Sequence, residues 1–69
     1  EVEKEEFAKE LQDAIASLPE KQRTVFLMNR IDELTYREIA QRLEISVKAV
    51  EKRMHEALEF LMNKIEHKI

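Results

Sequence analysis

The sequence contains no cysteine and no glycine, and Pro19 is its single proline. A chain without cysteine forms neither a disulfide framework nor a thiolate metal site. It also suits a reducing compartment, so we expect a cytoplasmic protein. Few helix-breaking residues, together with many Glu, Leu, Ala and Lys residues, predict an all-α fold.

The chain also lacks any apolar run of membrane-spanning length and any visible signal peptide, so no membrane association is expected. Its 69 residues are enough for one small domain with a single core, spanning residues 1–69. Because the sequence begins with Glu1 rather than methionine, we interpret it as a domain from a longer protein.

Acidic residues outnumber basic ones by 15 to 12, but they are concentrated at one end of the chain. Residues 1–18 contain six acidic residues and two lysines, a net charge of −4. Residues 19–69 contain ten basic and nine acidic residues, a net charge of +1. Because phosphate contacts supply most non-specific DNA affinity, any DNA binding by this chain alone is expected to be weak.

The stretch of residues 35–56 has the pattern of a helix-turn-helix. Thr35 and Glu38 form a capping box that starts a helix at Tyr36, and Ser46 is a suitable N-cap for a second helix. The apolar positions have helical spacing and predict the buried side: Ile39, Ala40, Leu43, Ile45, Val47, Val50 and Met54. Such a motif lays its second helix in the major groove of DNA.

Two further helices precede this motif, giving a four-helix domain without a wing. The first is predicted from Val2 to Ser17. Its apolar face is formed by Phe7, Leu11, Ala14, Ile15 and Leu18. The second follows Pro19, which the first turn of a helix tolerates, and extends to about Ile31. The helix after Ser46 is predicted to continue to about Lys68.

The second helix contains an apolar run, residues 25–28, that is too long for one face. One interpretation buries this helix on several sides; the other leaves part of the run exposed for a protein partner. Phe26 and Leu27 fall on different faces, so the core can take one and a partner the other. Phe60 and Met62 border the apolar stripe of the last helix and are further candidates for partner contact.

The start and the outward positions of the second motif helix are the predicted DNA contacts. Ser46 and the N–H groups beside it suit a phosphate, and lysines on this helix suit phosphate or guanine. Arg53 and two arginines of the preceding helix would contact the phosphate backbone. The complete set of predicted DNA-facing residues is Ser46, Lys48, Ala49, Glu51, Lys52, Arg53, His55, Arg37 and Arg42.

The sequence contains no catalytic or metal-binding constellation. It has no Gly-rich phosphate loop and no pair of carboxylates around a pocket. The two histidines, His55 and His67, are too far apart in sequence to suggest a metal site. We therefore expect no enzyme activity, no cofactor and no small-molecule substrate.

The segment from Leu18 to Leu61 contains five sequence pieces in a characteristic order: LPEKQR at the second helix, VFLM, LTYREIA, SVKAV at the start of the last helix, and HEAL. With these pieces the segment resembles region 4 of bacterial sigma factors of the sigma-70 family, most closely those of the extracytoplasmic-function group. The first helix fits the family layout more loosely.

The resemblance implies a function and a set of partners. Region 4 of such factors binds double-stranded DNA at the −35 promoter element through its last helix. It also docks on the β flap of the RNA polymerase core, and in many of these factors an anti-sigma protein covers both surfaces. The chain would then be the promoter-recognition module of a transcription initiation factor, held on DNA with help from polymerase.

Two glutamates stand where many relatives have glycine. Glu33 lies in the loop before the third helix, and Glu44 lies in the turn of the motif. Glycine takes a left-handed backbone without strain, whereas a glutamate there costs about 1 kcal/mol. Either that cost is tolerated or both turns are right-handed, and in either case we expect the fold to survive.

Glu51 and His55 each have two interpretations. Some relatives carry arginine at the position of Glu51, and a carboxylate facing DNA is repelled by phosphates. Glu51 therefore either pairs with a neighbour such as Lys48 or His55, or accepts a hydrogen bond from a cytosine amino group. His55 either contacts DNA, best when it is protonated, or is a plain exposed helix residue.

Two other functions stay open on sequence grounds. The DNA-binding effector domain of a response regulator uses a similar four-helix frame, although its opening segment and recognition helix fit less well. The other is a helical protein-interaction module that has lost DNA binding, which the low positive charge and the residues Glu51 and Glu56 favour. Duplex binding with a steep salt dependence would separate the DNA readers from this module.

Overall fold

Residues 2–66 fold into four α-helices joined by three short connections. The structure, a computed structural model, describes the backbone of residues 2–66 and the side chains of residues 9–65. The helices are α1 (Val2–Ala16), α2 (Glu20–Arg30), α3 (Tyr36–Leu43) and α4 (Val47–Glu66). No strand occurs in residues 2–66, so the prediction of an all-α, four-helix fold is confirmed.

The predicted helix bounds are close to the observed ones. Those of α3 agree at both ends, and the predicted ends of α1 and α2 are each one residue late. The predicted end of α4 near Lys68 lies outside the described residues. On α1 the predicted apolar face is confirmed for Ala14, which is buried, while Leu11 and Ile15 are half-buried. The side chain of Phe7 lies outside the described set.

α4 is the central element of the fold, because α1, α2 and α3 all pack against it. Its buried stripe consists of Val50, Met54, Ala57 and Leu61, each 5% exposed or less. The intervals of four, three and four residues keep these side chains on one side of the helix. The rest of the core is supplied by Ala14, Leu18, Val25, Phe26, Ile39 and Ala40.

Arg23 fixes the connection between α1 and α2. Its Nη1 donates hydrogen bonds to the main-chain carbonyl oxygens of Ala16, at 3.1 Å, and Leu18, at 3.3 Å. The last carbonyl groups of a helix have no partner within that helix, so a side chain of α2 satisfies the end of α1. Leu18 itself is 3% exposed and anchors this connection in the core.

The apolar run of α2 is buried on more than one side. Val25 is fully buried and Phe26 is 8% exposed, whereas Leu27 and Met28 are half-buried. The guanidinium of Arg30 lies 5.9 Å from the centroid of the Phe26 ring and covers it further. Phe26 is therefore a core residue and not an exposed partner contact, which corrects the prediction. Leu27 is the member of the pair that stays partly exposed.

The predicted capping box at the start of α3 is confirmed. The Oγ1 of Thr35 accepts a hydrogen bond from the N–H of Glu38 at 3.1 Å. In return, the carboxylate of Glu38 accepts one from the N–H of Thr35 at 2.8 Å. Two N–H groups that the helix itself cannot pair are thereby satisfied, and this fixes where α3 begins.

The turn between α3 and α4 is left-handed at Glu44, with φ 57° and ψ 45°. The N–H of Ile45 donates to the carbonyl of Ala40 at 3.0 Å, and the N–H of Glu44 donates to that of Gln41 at 3.3 Å. This pair of bonds is a Schellman motif, which normally has glycine at the left-handed residue. Glu33 also has φ 57°. Both turns are thus left-handed, and the fold tolerates the cost of two glutamates there.

Candidate nucleic-acid interface

The start of α4 is capped and points polar groups outward. The Oγ of Ser46 accepts a hydrogen bond from the N–H of Ala49 at 3.0 Å, which confirms Ser46 as the N-cap. The N–H groups of Val47 and Lys48 belong to the first turn and have no acceptor within the helix. They carry the positive end of the helix dipole, so this end of α4 suits a phosphate oxygen.

The first two turns of α4 have two opposite faces. Lys48, Glu51, Lys52 and His55 are all exposed, and their spacing places them within an arc of about 100° on one side of the helix. The buried stripe that begins at Val50 occupies the other side. We refer to these four residues as the outer stripe. Most of the predicted base-reading residues therefore share one exposed face.

The other predicted DNA-facing residues border the outer stripe or lie on α3. Ala49 and Arg53 are half-buried at its edge, and Ser46 is exposed at its beginning. Arg37 and Arg42 are exposed on α3. Each of the five can be reached from solvent, and the arginines lie on both helices of the motif.

Val47 differs from its prediction. It was expected to point into the core, but it is 40% exposed, whereas Val50 and Met54 are buried as predicted. Val47 is the first residue of α4, at the edge of the domain, where packing neighbours surround a side chain only in part. The buried side of α4 therefore begins one turn later than its apolar pattern suggests.

The exposed side of α4 also includes Glu59, which was not among the residues predicted from the sequence. Its Oε2 lies 3.4 Å from the Nε2 of His55, one turn earlier on α4, and both side chains are largely exposed. The pair is ionic when the imidazole is protonated. The i,i+4 spacing of an acid and a histidine was the available signal. His55 is therefore held by an acidic neighbour that extends the outer stripe toward the C-terminus.

The three carboxylates of α4 between residues 51 and 59 have different surroundings. Glu56 is half-buried and accepts a hydrogen bond from the Nε2 of Gln22 at 3.1 Å. Glu59 faces His55. Among the side chains of residues 9–65, Glu51 forms no ion pair with Lys48 or His55, so the pairing interpretation is not supported.

The capping box also affects charge on α3, next to the turn. The N–H of Thr35 and then its hydroxyl hold the pKa of Glu38 below its ordinary value, and Arg42 adds a smaller effect in the same direction. Glu38 therefore stays ionised in its role as a cap. Arg42 lies in the last turn of α3, where a cation also suits the negative end of the helix dipole.

The predicted partner residues differ in how exposed their side chains are. Met62 is 57% exposed, while Phe60 is half-buried and its ring lies 5.9 Å from the ammonium of Lys64. Leu27 is half-buried on α2. Ile31, just after α2, is 70% exposed and was not predicted.

The described residues contain no group of three or more His, Cys, Asp or Glu side chains that could hold a metal ion. Across that same part of the chain, no helix is both long and apolar enough to cross a membrane. All buried side-chain polar atoms described have hydrogen-bond partners. The polar groups still open to a ligand are therefore those on the surface.

Comparison with known proteins gives one clear match. The model of the family described as sigma-70, region 4, matches residues 8–61. The match runs from the middle of α1 through the buried part of α4 and includes the whole of the α3–turn–α4 unit. No curated protein matches the chain.

Proposed function

Because this chain belongs to the sigma-70 region 4 family, we propose that it recognises the −35 promoter element and directs RNA polymerase to initiate transcription there. Region 4 is a DNA-binding domain of promoter recognition and not a catalytic fold. Within the family, the extracytoplasmic-function group is the proposed type, since the segment from Leu18 to Leu61 has that group's sequence pieces.

The observation that carries this proposal is the outer stripe at the capped start of α4. Its exposed lysines, Lys48 and Lys52, lie next to N–H groups that suit a phosphate. The N-terminal residues of a recognition helix are those that reach base edges in the major groove. We assign base contact to Glu51, His55 and Ala49. Phosphate contact is assigned to Ser46, Lys48, Lys52, Arg53, Arg37 and Arg42.

The motif proposed to read DNA spans residues 35–56, within a single domain of residues 1–69 that is part of a longer, cytoplasmic factor. The charge of residues 19–69 is only +1, so affinity for DNA alone is weak, and the RNA polymerase core holds the domain in place. The proposed contacts with the β flap or with an anti-sigma protein are the partly exposed apolar residues Leu27, Phe60 and Met62.

The competing functions are weakened by particular observations. Glu56 was one of two acids that favoured a protein-interaction module without DNA binding, but its carboxylate is engaged by Gln22. A response-regulator effector domain shares the four-helix frame, yet the matched family is sigma-70 region 4. DNA binding remains the property that separates the two DNA-reading functions from the protein-interaction module.

A duplex titration at low and at moderate salt tests the proposal. Promoter DNA should bind at low salt, with affinity that falls steeply as salt rises because lysines displace condensed counterions. Replacing Lys48 and Lys52 with glutamine should lower affinity for all sequences and reduce the salt slope by about 2, roughly one for each phosphate contact. Lys9→Gln combined with Lys21→Gln, at exposed residues of α1 and α2, is the charge-matched control. No binding at low salt would overturn the proposal.

A further inference from the structure

Glu51 stands apart from the other carboxylates near it on α4. Glu56 is engaged by Gln22 and Glu59 by His55. Glu51 is exposed, and within the described residues its oxygens accept no hydrogen bond and no cation lies within ion-pair distance. The acceptor capacity of its carboxylate is therefore unused inside the protein.

Glu51 lies among the residues that are assigned to DNA contact. Its carboxylate is therefore available there as a hydrogen-bond acceptor. Lys48 lies three residues before it and Lys52 directly after it, on the same exposed face of α4. Glu51 is in the second turn, near the helix start that enters the major groove in this kind of motif. The flanking ammonium groups also reduce the repulsion that phosphates exert on a carboxylate.

The chemistry of the groove restricts what such a carboxylate can bind. An ionised carboxylate only accepts hydrogen bonds. In the major groove guanine shows two acceptors, and thymine shows an acceptor and a methyl group. Adenine has an amino donor beside the N7 acceptor, which repels a second acceptor, whereas cytosine shows the N4 amino donor alone. Cytosine is therefore the base that fits.

We infer that Glu51 determines specificity at one position of the bound duplex by accepting a hydrogen bond from a cytosine amino group. This inference rests on the proposed function, since it needs α4 in the groove. It also gives a reason for an acid in the outer stripe: phosphates repel the carboxylate on every sequence, and a hydrogen bond from a cytosine amino group offsets that repulsion. Glu51 then contributes to discrimination while it lowers non-specific affinity.

Selection of bound sequences from randomised duplexes at low salt tests this role. The chain should enrich cytosine at one position that depends on Glu51. In Glu51→Gln the amide has a donor and an acceptor, which match N7 and the amino group of adenine. The preference at that position should move from cytosine to adenine, with about a tenfold fall in the cytosine preference, and all other positions should stay unchanged.

Glu20→Gln is the matched control, because it removes the same charge from an exposed residue of another helix, α2, that is not assigned to DNA contact. It should leave the preferred base at every position unchanged. If Glu51→Gln and the unaltered chain select the same bases throughout, the inference is wrong while the proposed function stands. A uniform gain in affinity for all sequences, without a change in preference, would equally show that Glu51 only repels phosphate. If the unaltered chain binds no duplex, both the inference and the proposed function fail.

Discussion

The side chain of Gln22 donates a hydrogen bond to the carboxylate of Glu56, with 3.1 Å between Nε2 and Oε1. The bond joins α2 to α4 across 34 residues of sequence and is partly buried. Hydrogen bonds to charged groups are stronger than those between neutral groups. This contact therefore helps to fix α4, and with it the outer stripe, against the rest of the domain.

A double-mutant cycle should detect this bond. We expect Gln22→Ala and Glu56→Ala each to lower the free energy of unfolding, with a coupling energy of about 1 kcal/mol between them. Urea unfolding followed by circular dichroism measures it. The cycle of His55→Ala and Glu59→Ala is the comparison, because that pair is exposed and should couple by only about 0.3 kcal/mol. Equal coupling in the two cycles would contradict the prediction.

Replacing Glu44 with glycine should stabilise the domain by about 1 kcal/mol, because a left-handed backbone strains any residue with a Cβ. Glu44 has φ 57° and closes the turn between α3 and α4. The change in the free energy of unfolding is measured in urea. Glu51→Gly is the matched control: it removes the same side chain from a helical residue and should cost about 1 kcal/mol. A loss of stability in Glu44→Gly would show that its side chain stabilises the turn.

The capping box should make stability depend on pH. The pKa of Glu38 is lowered in the folded state, so the unfolded chain binds its proton more tightly. The stabilising effect is therefore present above the ordinary value of 4.5 and is lost as the pH falls through the lowered pKa. The excess stability of the unaltered chain over Glu38→Gln should disappear across that window. Thr35→Ala removes the hydroxyl but keeps the N–H, so the pKa of Glu38, measured by NMR titration, should move only part of the way back toward 4.5; no movement would refute the contribution of the hydroxyl.

Met54 and Met62 form a natural pair of test sites on one helix. Met54 is 1% exposed and Met62 is 57% exposed. Truncating a buried methionine to alanine costs about 2–5 kcal/mol, which is a large part of the stability of a domain this small. Met54→Ala should therefore be mostly unfolded or close to it by thermal melting. Met62→Ala should change stability by less than about 0.5 kcal/mol, and a similar loss in both variants would mean that Met62 is packed.

The features that the sequence predicted correctly are set by neighbouring residues. The capping box of Thr35 and Glu38 and the N-cap of Ser46 involve partners three residues apart. Local spacing alone therefore predicts both. The sequence also predicted the buried stripe of α4 from Val50 onward, since helical periodicity determines which residues share a face.

The features that the sequence missed depend on what packs against each helix. Val47 fits the apolar pattern of α4, but its end position leaves it 40% exposed. Phe26 and Leu27 are equivalent in a helical pattern, and only the packing shows that the core takes Phe26. The hydrogen bond from Gln22 to Glu56 could not be found because no local rule connects residues that far apart.

Arg23 and its neighbour Gln22 join α2 to two other helices. The guanidinium of Arg23 donates hydrogen bonds to the carbonyl oxygen of Ala16, the last residue of α1, and to that of Leu18 in the connection that follows. The same helix that carries Arg23 is joined to the last helix through Gln22. Two adjacent residues at the start of α2 therefore contact the end of the first helix and the last helix. A substitution that displaces the start of α2 would disturb the end of α1 and the placement of the outer stripe together.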